Sequence, residues 1–149
     1  MPTALVVGNS DGIGLAITHL LLDDGWQVTG ISRSGSQIDV PLYRHHILDV
    51  CDDEYAAQLS SIVAELNDLA VCIYSAGIGE FLDVERLTTD RRVFETNLMG
   101  AVITLGVVIP AMIRGGRGHF APSTGLARTA MAELMGPRYG KPTASSRLL

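Results

Sequence analysis

Three glycines crowd a short span near the start of the chain, Gly8, Gly12 and Gly14 in the stretch VVGNSDGIGLA. An apolar run precedes them and an apolar-periodic segment follows. Glycine tolerates backbone angles that other residues avoid, so this spacing suits a tight strand-to-helix turn. With no side chains in the way, a phosphate can approach the backbone there. The first amides of the following helix, with the positive end of its dipole, would meet an anion. The pattern therefore predicts a cradle for the diphosphate of a dinucleotide, with Gly8, Ser10, Gly12, Ile13 and Gly14 as its wall. The alternative is a tight turn with no ligand. Further along, GISRSGS places Ser32 and Arg33 where the second strand should end. A carboxylate at that tip would bond a ribose 2′-hydroxyl, whereas an arginine accommodates a 2′-phosphate with its forked, permanent charge. Arg33 thus favours NADP over NAD, unless it is a solvated loop charge. Asp11, inside the glycine loop, opposes that preference by repelling a nearby phosphate.

These residues need elements to hold them. Residues 3–7 form a short apolar run without alternation, as in a strand buried on both faces. Residues 13–22 carry helical spacing, and Gly25 is placed to follow the helix C-terminus. Further strands are expected at 26–31, 43–48, 70–74 and 118–123, and helices at 52–66 and 88–113, with Asp52 as the N-cap of the former. Pro110 should bend or end the last helix, and Pro122 fits a strand only at a sheet edge. Alternating strands and helices predict an α/β fold. It is a Rossmann-like doubly wound parallel sheet of order 3-2-1-4-5, incomplete on its C-terminal side.

The chain has 149 residues, enough for one domain, and a net charge of -5. No basic cluster suggests nucleic acid. The segment NLMGAVITLGVVIPAMI is interrupted by polar residues and is short of the roughly 20 residues of a membrane span, so a core helix is expected and no membrane partner. Cys51 and Cys72 form no CxxC pair and read as free buried thiols in a cytoplasmic protein. His45 and His46 should face opposite ways on a strand, one half-buried and one solvated. No metal site is expected. Arg91 and Arg92 near Glu95 suggest an exposed, ion-paired helix face.

The Gly-x-x-x-Gly-x-Gly spacing resembles that of the short-chain dehydrogenase/reductase family. LDV at 48–50 resembles the family's Asp-Val at the end of the third strand, YSAG at 74–77 keeps the Ala-Gly half of its Asn-Asn-Ala-Gly motif, and FETNLMG at 94–100 resembles the helix segment that carries its structural and catalytic Asn. The resemblance runs in register from residue 3 to about residue 120. It implies that Asp49 and Val50 contact adenine, that Ala76 and Gly77 line the cofactor, and that hydride passes between NADP and a small carbonyl or alcohol. It further implies a catalytic set of Asn97, Ser123, Tyr139 and a lysine. A phenol titrating near 10 needs a neighbouring cation to exchange protons at neutral pH. The lysine belongs four residues after Tyr139, where Thr143 stands; Lys141, the chain's only lysine, is two residues on. Lys141 either replaces it from a loop or is a solvated tail charge.

No Val or Ile follows Ile113. The expected organisation is a Rossmann domain over 1–120 and a divergent tail over 121–149, as in a C-terminally truncated or altered family member. Two functions stay open: a working oxidoreductase, or a catalytically impaired dinucleotide-binding or interaction module. A homo-oligomer is expected through the long helix, as the family resemblance implies.

Overall fold

The computed structural model describes residues 1–79 and 91–123. Strand β1 (Thr3–Val7) leads into helix α1 (Gly12–Asp23), then β2 (Gln27–Ser32), β3 (Tyr43–Ile47), helix α2 (Tyr55–Glu65) and β4 (Leu69–Tyr74). A continuous helical segment follows, made of α3 (Arg91–Phe94), a π-helical turn (Glu95–Met99) and α4 (Gly100–Arg114), and β5 (His119–Pro122) closes the order. All five strands are parallel, in the order β3-β2-β1-β4-β5. The expected doubly wound sheet is present.

The sequence explains why β1 takes the centre. Thr3, Ala4, Leu5, Val6 and Val7 are all buried. Alternate residues face opposite sides of a strand, so a strand that is apolar at four successive positions, Ala4 to Val7, must be covered on both. Leu5 and Val7 join Tyr55, Leu59 and Val63 of α2 and Ala101, Val108 and Met112 of α4 on one side. Ala4 and Val6 pack against Ile17, Leu21 and Leu22 of α1 on the other. Among the described residues one helical stretch, Arg91–Arg114, is long and apolar enough to cross a membrane. Its Ala101, Thr104, Val108 and Met112 are instead buried against the sheet and α2.

Three details differ from expectation. Helix α2 begins at Tyr55, and no side chain caps it. Asp49, not Asp52, makes the local turn: its Oδ1 accepts the Cys51 N–H at 3.0 Å and its carbonyl accepts the Asp52 N–H at 3.1 Å, which delays the helix. Helix α4 runs through Pro110 to Arg114. The carbonyl that Pro110 leaves unpaired is that of Gly106, and both residues lie on the exposed face, where solvent can reach it. Both histidines of β3 are half-buried, so His46 is not the solvated residue expected. Pro122 sits in β5 without cost to the ladder. The Ser123 N–H donates to the Tyr74 carbonyl at 2.8 Å, so the alternate residue, Pro122, turns its nitrogen away from β4.

Candidate functional site

The three glycines serve three different purposes. Gly8 has φ +86°, and a Cβ there would come under 3.0 Å from the backbone of Ser75 and Ala76. The end of β1 is thus pressed against the segment leaving β4. A Cβ on Gly14 would come under 3.0 Å from the Gly8 carbonyl, so α1 starts directly against the loop. Gly12 has φ +52°, and a Cβ there would meet nothing within 4 Å. Its bareness serves open space, which is what an approaching ligand needs. Asp11 stands at the N-cap of α1 in extended conformation and makes no side-chain cap, so the first amides of the helix keep their capacity for an external acceptor.

Beside this loop lies a cavity of about 130 Å³ at the C-terminal ends of the strands. It opens between β1 and β4, where the strand order reverses, which is where open α/β sheets bind ligands. Of the residues expected at the cofactor, Gly8, Ser10, Arg33, Asp49, Val50, Ala76 and Gly77 line it. Gly12, Ile13 and Gly14 form the helix start beside it and are not in its wall. Asp11, Ser32 and Thr96 also line it. Thr96 precedes Asn97 in the π-helical turn, and its place was not legible because that turn has no sequence signature.

Charge in the cavity is arranged in a way the sequence did not reveal. Asp49 Oδ2 is bound by the Arg92 guanidinium at 2.8 Å. The exposed, ion-paired face expected here is present, with Arg91 on Glu95 at 2.5 Å, but Arg92, also exposed, takes Asp49 as its partner instead of Glu95. Residues one apart on a helix point about 100° apart, so the two arginines part ways. Arg33 makes no ion pair among the described residues. It stands exposed at the rim with its charge uncommitted.

Asn97 is drawn in by the π-helical turn, a local widening that often marks functional sites. Its Oδ1 accepts the Ile78 N–H and its Nδ2 donates to the Ile78 carbonyl, both at 2.8 Å. The amide thus pins the segment that carries Ala76 and Gly77. The Tyr74 hydroxyl donates to the Thr96 carbonyl at 2.5 Å, and it fits because Gly100 has no side chain to meet it. Asn97→Ala should remove both contacts and destabilise by about 1–3 kcal/mol. Asn97→Asp should keep only the acceptor. Hydrogen exchange at the Ile78 amide checks this: protection is lost in the alanine variant and retained in the aspartate one.

Ser123 follows β5 and is exposed. Tyr139 and Lys141 lie outside the described residues. Burial pushes the phenols of Tyr55 and Tyr74 upward, against the direction a neutral-pH proton carrier requires. Cys72 is buried and its thiol is likewise pushed up by burial. Cys51 is only half-buried, with Sγ 3.2 Å from Thr96 Oγ1.

Strand order, the glycine-lined turn and a cavity at the point of reversal define a Rossmann-like α/β domain. The family model for short chain dehydrogenase matches residues 2–122, and the chain belongs to that family. A curated relative, retinol dehydrogenase 8 of Homo sapiens, is 34% identical over 134 residues, covering 78% of this chain and 42% of the relative. An uncharacterized oxidoreductase of Myxococcus xanthus is 29% identical over 137 residues, with 84% and 54% covered. The chain spans about half the length of these relatives. Among solved structures, aldohexose dehydrogenase of Thermoplasma acidophilum superposes with a TM-score of 0.68 at 29% identity, over 76% of this chain and 45% of that one. An alcohol dehydrogenase of Thermococcus sibiricus complexed with 5-hydroxy-NADP has the same fold, with a TM-score of 0.73 at 24% identity over 91% and 70% of the two chains.

Proposed function

We propose that this protein is an NADP-linked oxidoreductase acting on a carbonyl or alcohol group of a small molecule. One observation carries the reading: the uncommitted Arg33 guanidinium and the open Gly12 turn flank the same cavity. The residues present fit the cofactor. The uncapped amides at the start of α1 would take the diphosphate, and Arg33 the 2′-phosphate. Asp49 and Val50 would border the adenine. Because Arg92 holds Asp49, the Asp49 carboxylate repels a phosphate less than a free one would.

The nicotinamide, when bound, supplies or accepts the hydride. The work left to the chain is to hold the cofactor and move a proton. Ala76 and Gly77 border the cofactor's path, and Asn97 fixes them through Ile78. Ser123 would bond the substrate oxygen, and Tyr139, aided by the Lys141 charge, would exchange the proton with it. Relatives named for retinol and aldohexose support the alcohol–carbonyl class, since those names describe alcohol-bearing molecules.

Thermal unfolding with NADP+, NAD+ or neither tests the reading. At a concentration near 100 times Kd, a nucleotide adds about 2.7 kcal/mol, or roughly 5–10 °C in Tm for a domain of this size. NADP+ should give the larger shift at equal concentration. Equal Tm values in all three conditions would remove the proposal.

A further inference from the structure

Two parts of the cavity, the glycine loop and the Arg33 loop, are joined by a chain of polar groups, buried at Asn9, Thr18 and Tyr43 and half-buried at His45, that the reading above does not use. Asn9, directly after Gly8, is 2% exposed. Its Nδ2 donates to the Tyr43 hydroxyl at 2.7 Å and lies 3.4 Å from Thr18 Oγ1. Thr18 in turn donates to the Gly14 carbonyl at 2.8 Å. The Tyr43 hydroxyl meets His45 Nδ1 at 2.8 Å, and His45 Nε2 meets the Ser34 carbonyl at 2.8 Å and Ser32 Oγ at 3.3 Å. Ser32 and Ser34 are the neighbours of Arg33 on either side.

The direction of the chain follows from its last member. A carbonyl can only accept, so His45 Nε2 carries the hydrogen and Nδ1 accepts in the neutral ring. Tyr43 therefore donates to Nδ1, and its oxygen is free to accept from Asn9. Thr18, already donating to Gly14, can also only accept from Asn9. Both hydrogens of the Asn9 amide are committed, and its Oδ1 is left without a partner among the described residues. An unpaired buried oxygen is unfavourable, so this orientation is held against a local penalty.

Strand β2 lies between the two ends, and it is crossed at Gly30. A Cβ there would come under 3.0 Å from Asn9 Nδ2 and from the Tyr43 hydroxyl. Gly30 pairs with His45 in the β2–β3 register, and Tyr43 and His45, two apart, share that face of the strand. A glycine in the interior of a strand weakens it; here it leaves the gap through which the relay passes.

We propose that Asn9, Tyr43 and His45 are positioning residues that lock the Arg33 loop to the glycine loop, and so set the discrimination between a 2′-phosphate and a 2′-hydroxyl. This rests on the cofactor reading above. An exposed arginine on a free loop would lose backbone as well as side-chain freedom on meeting a phosphate. Fixing Ser32 and Ser34 beforehand removes the backbone part of that cost. NAD+ has no group for Arg33 to hold, so its binding should not depend on the relay.

The test is the Kd of the full chain for NADP+ and for NAD+, by calorimetry, in the wild type, His45→Ala, His45→Gln and Tyr43→Phe. His45→Ala should weaken NADP+ about tenfold and change NAD+ by less than twofold. His45→Gln, which offers an acceptor and a donor at similar separation, should recover most of the loss. Tyr43→Phe keeps the buried ring and removes only the hydroxyl, and should act in the same direction. In an Arg33→Ala background, His45→Ala should have no further effect on NADP+, a non-additivity that a purely structural role would not produce. A wild type that binds both nucleotides, with variants that weaken both equally or neither, would overturn the proposal alone. A wild type that binds neither nucleotide would overturn the cofactor reading and the relay's role with it.

Discussion

Gly8→Ala will destabilise the protein by about 2–5 kcal/mol, while Gly12→Ala will leave it within about 1–2 kcal/mol of the wild type, and on the proposed cofactor reading both substitutions should abolish nucleotide binding. The two positions share a positive φ, +86° and +52°, and alanine bears a strain of about 1–2 kcal/mol at each. They differ in what a methyl would touch. At Gly8 it would drive into the Ser75–Ala76 backbone, and main chain cannot swing away as a side chain can, so an overpacking cost of about 1–3 kcal/mol adds to the strain. The Gly8 N–H is also bonded to the Ile31 carbonyl at 2.7 Å, and the Ser75 N–H to the Val7 carbonyl at 2.7 Å. A shift to relieve the clash would strain both. At Gly12 the methyl meets nothing, so the fold tolerates it and the ligand does not. Urea unfolding measures the first difference, and nucleotide-dependent Tm shifts measure the second. Equal destabilisation by the two substitutions, or undiminished binding by Gly12→Ala, would contradict this division of roles.

The second large effect is an alkaline limit on stability. Burial raises the pKa of Cys72, Tyr55 and Tyr74 in the folded state. For Tyr55, the hydrogen bond to Thr104, at 2.7 Å, opposes this only in part. For Tyr74, burial leads and the neighbouring Tyr55, Cys51 and Asp49 add to it. An acid whose folded pKa lies above its unfolded value holds its proton more tightly when folded. The stabilisation is complete below the unfolded pKa and is lost as pH rises toward the folded one. Stability should therefore be level through neutrality and begin to fall near pH 9, where an exposed thiol titrates, then more steeply above 10, where the phenols join. With about 1.4 kcal/mol per group per pH unit, the loss by pH 11 is on the order of 5 kcal/mol, comparable to the whole stability of many domains. Denaturant titrations from pH 8 to 11.5 measure it. Cys72→Ala should shift the onset upward by about one pH unit, and a flat profile to pH 11 would show that these groups open to water before they ionise.

Those two expectations rest on different kinds of information. The glycine loop was legible because a positive φ and a close approach both demand the absence of a side chain, and absence is visible in a sequence. The sheet order was legible because strands alternate with helices and right-handed crossovers then fix the doubly wound order; the unalternating apolar run of β1 agrees with a place between two layers of helix. The same run of apolar residues in α4 explained its burial, and its passage through Pro110 was settled by Gly106 and Pro110 sharing the exposed face. Arg92 and His45 were not legible. Each was read from its neighbours in sequence, Arg92 as part of a charged helix face and His45 as one of an adjacent pair. Their partners, Asp49 and Tyr43 with Ser34, were selected by packing.

What the sequence determined by itself is the α/β architecture, the phosphate-type turn after β1 and the kind of residue at the tip of β2. Each depends on local rules: the period of apolar positions, the allowed backbone angles of glycine, the charge of one side chain. Only the tertiary structure decided that Asp49 is held by Arg92, that Asn97 clamps Ile78 through a π-helical turn, and that Gly30 lets Asn9 reach Tyr43 across β2. These pairings join residues 19 to 43 positions apart. No periodicity encodes such a contact; it exists because folding the sheet brings the two side chains within hydrogen-bond reach.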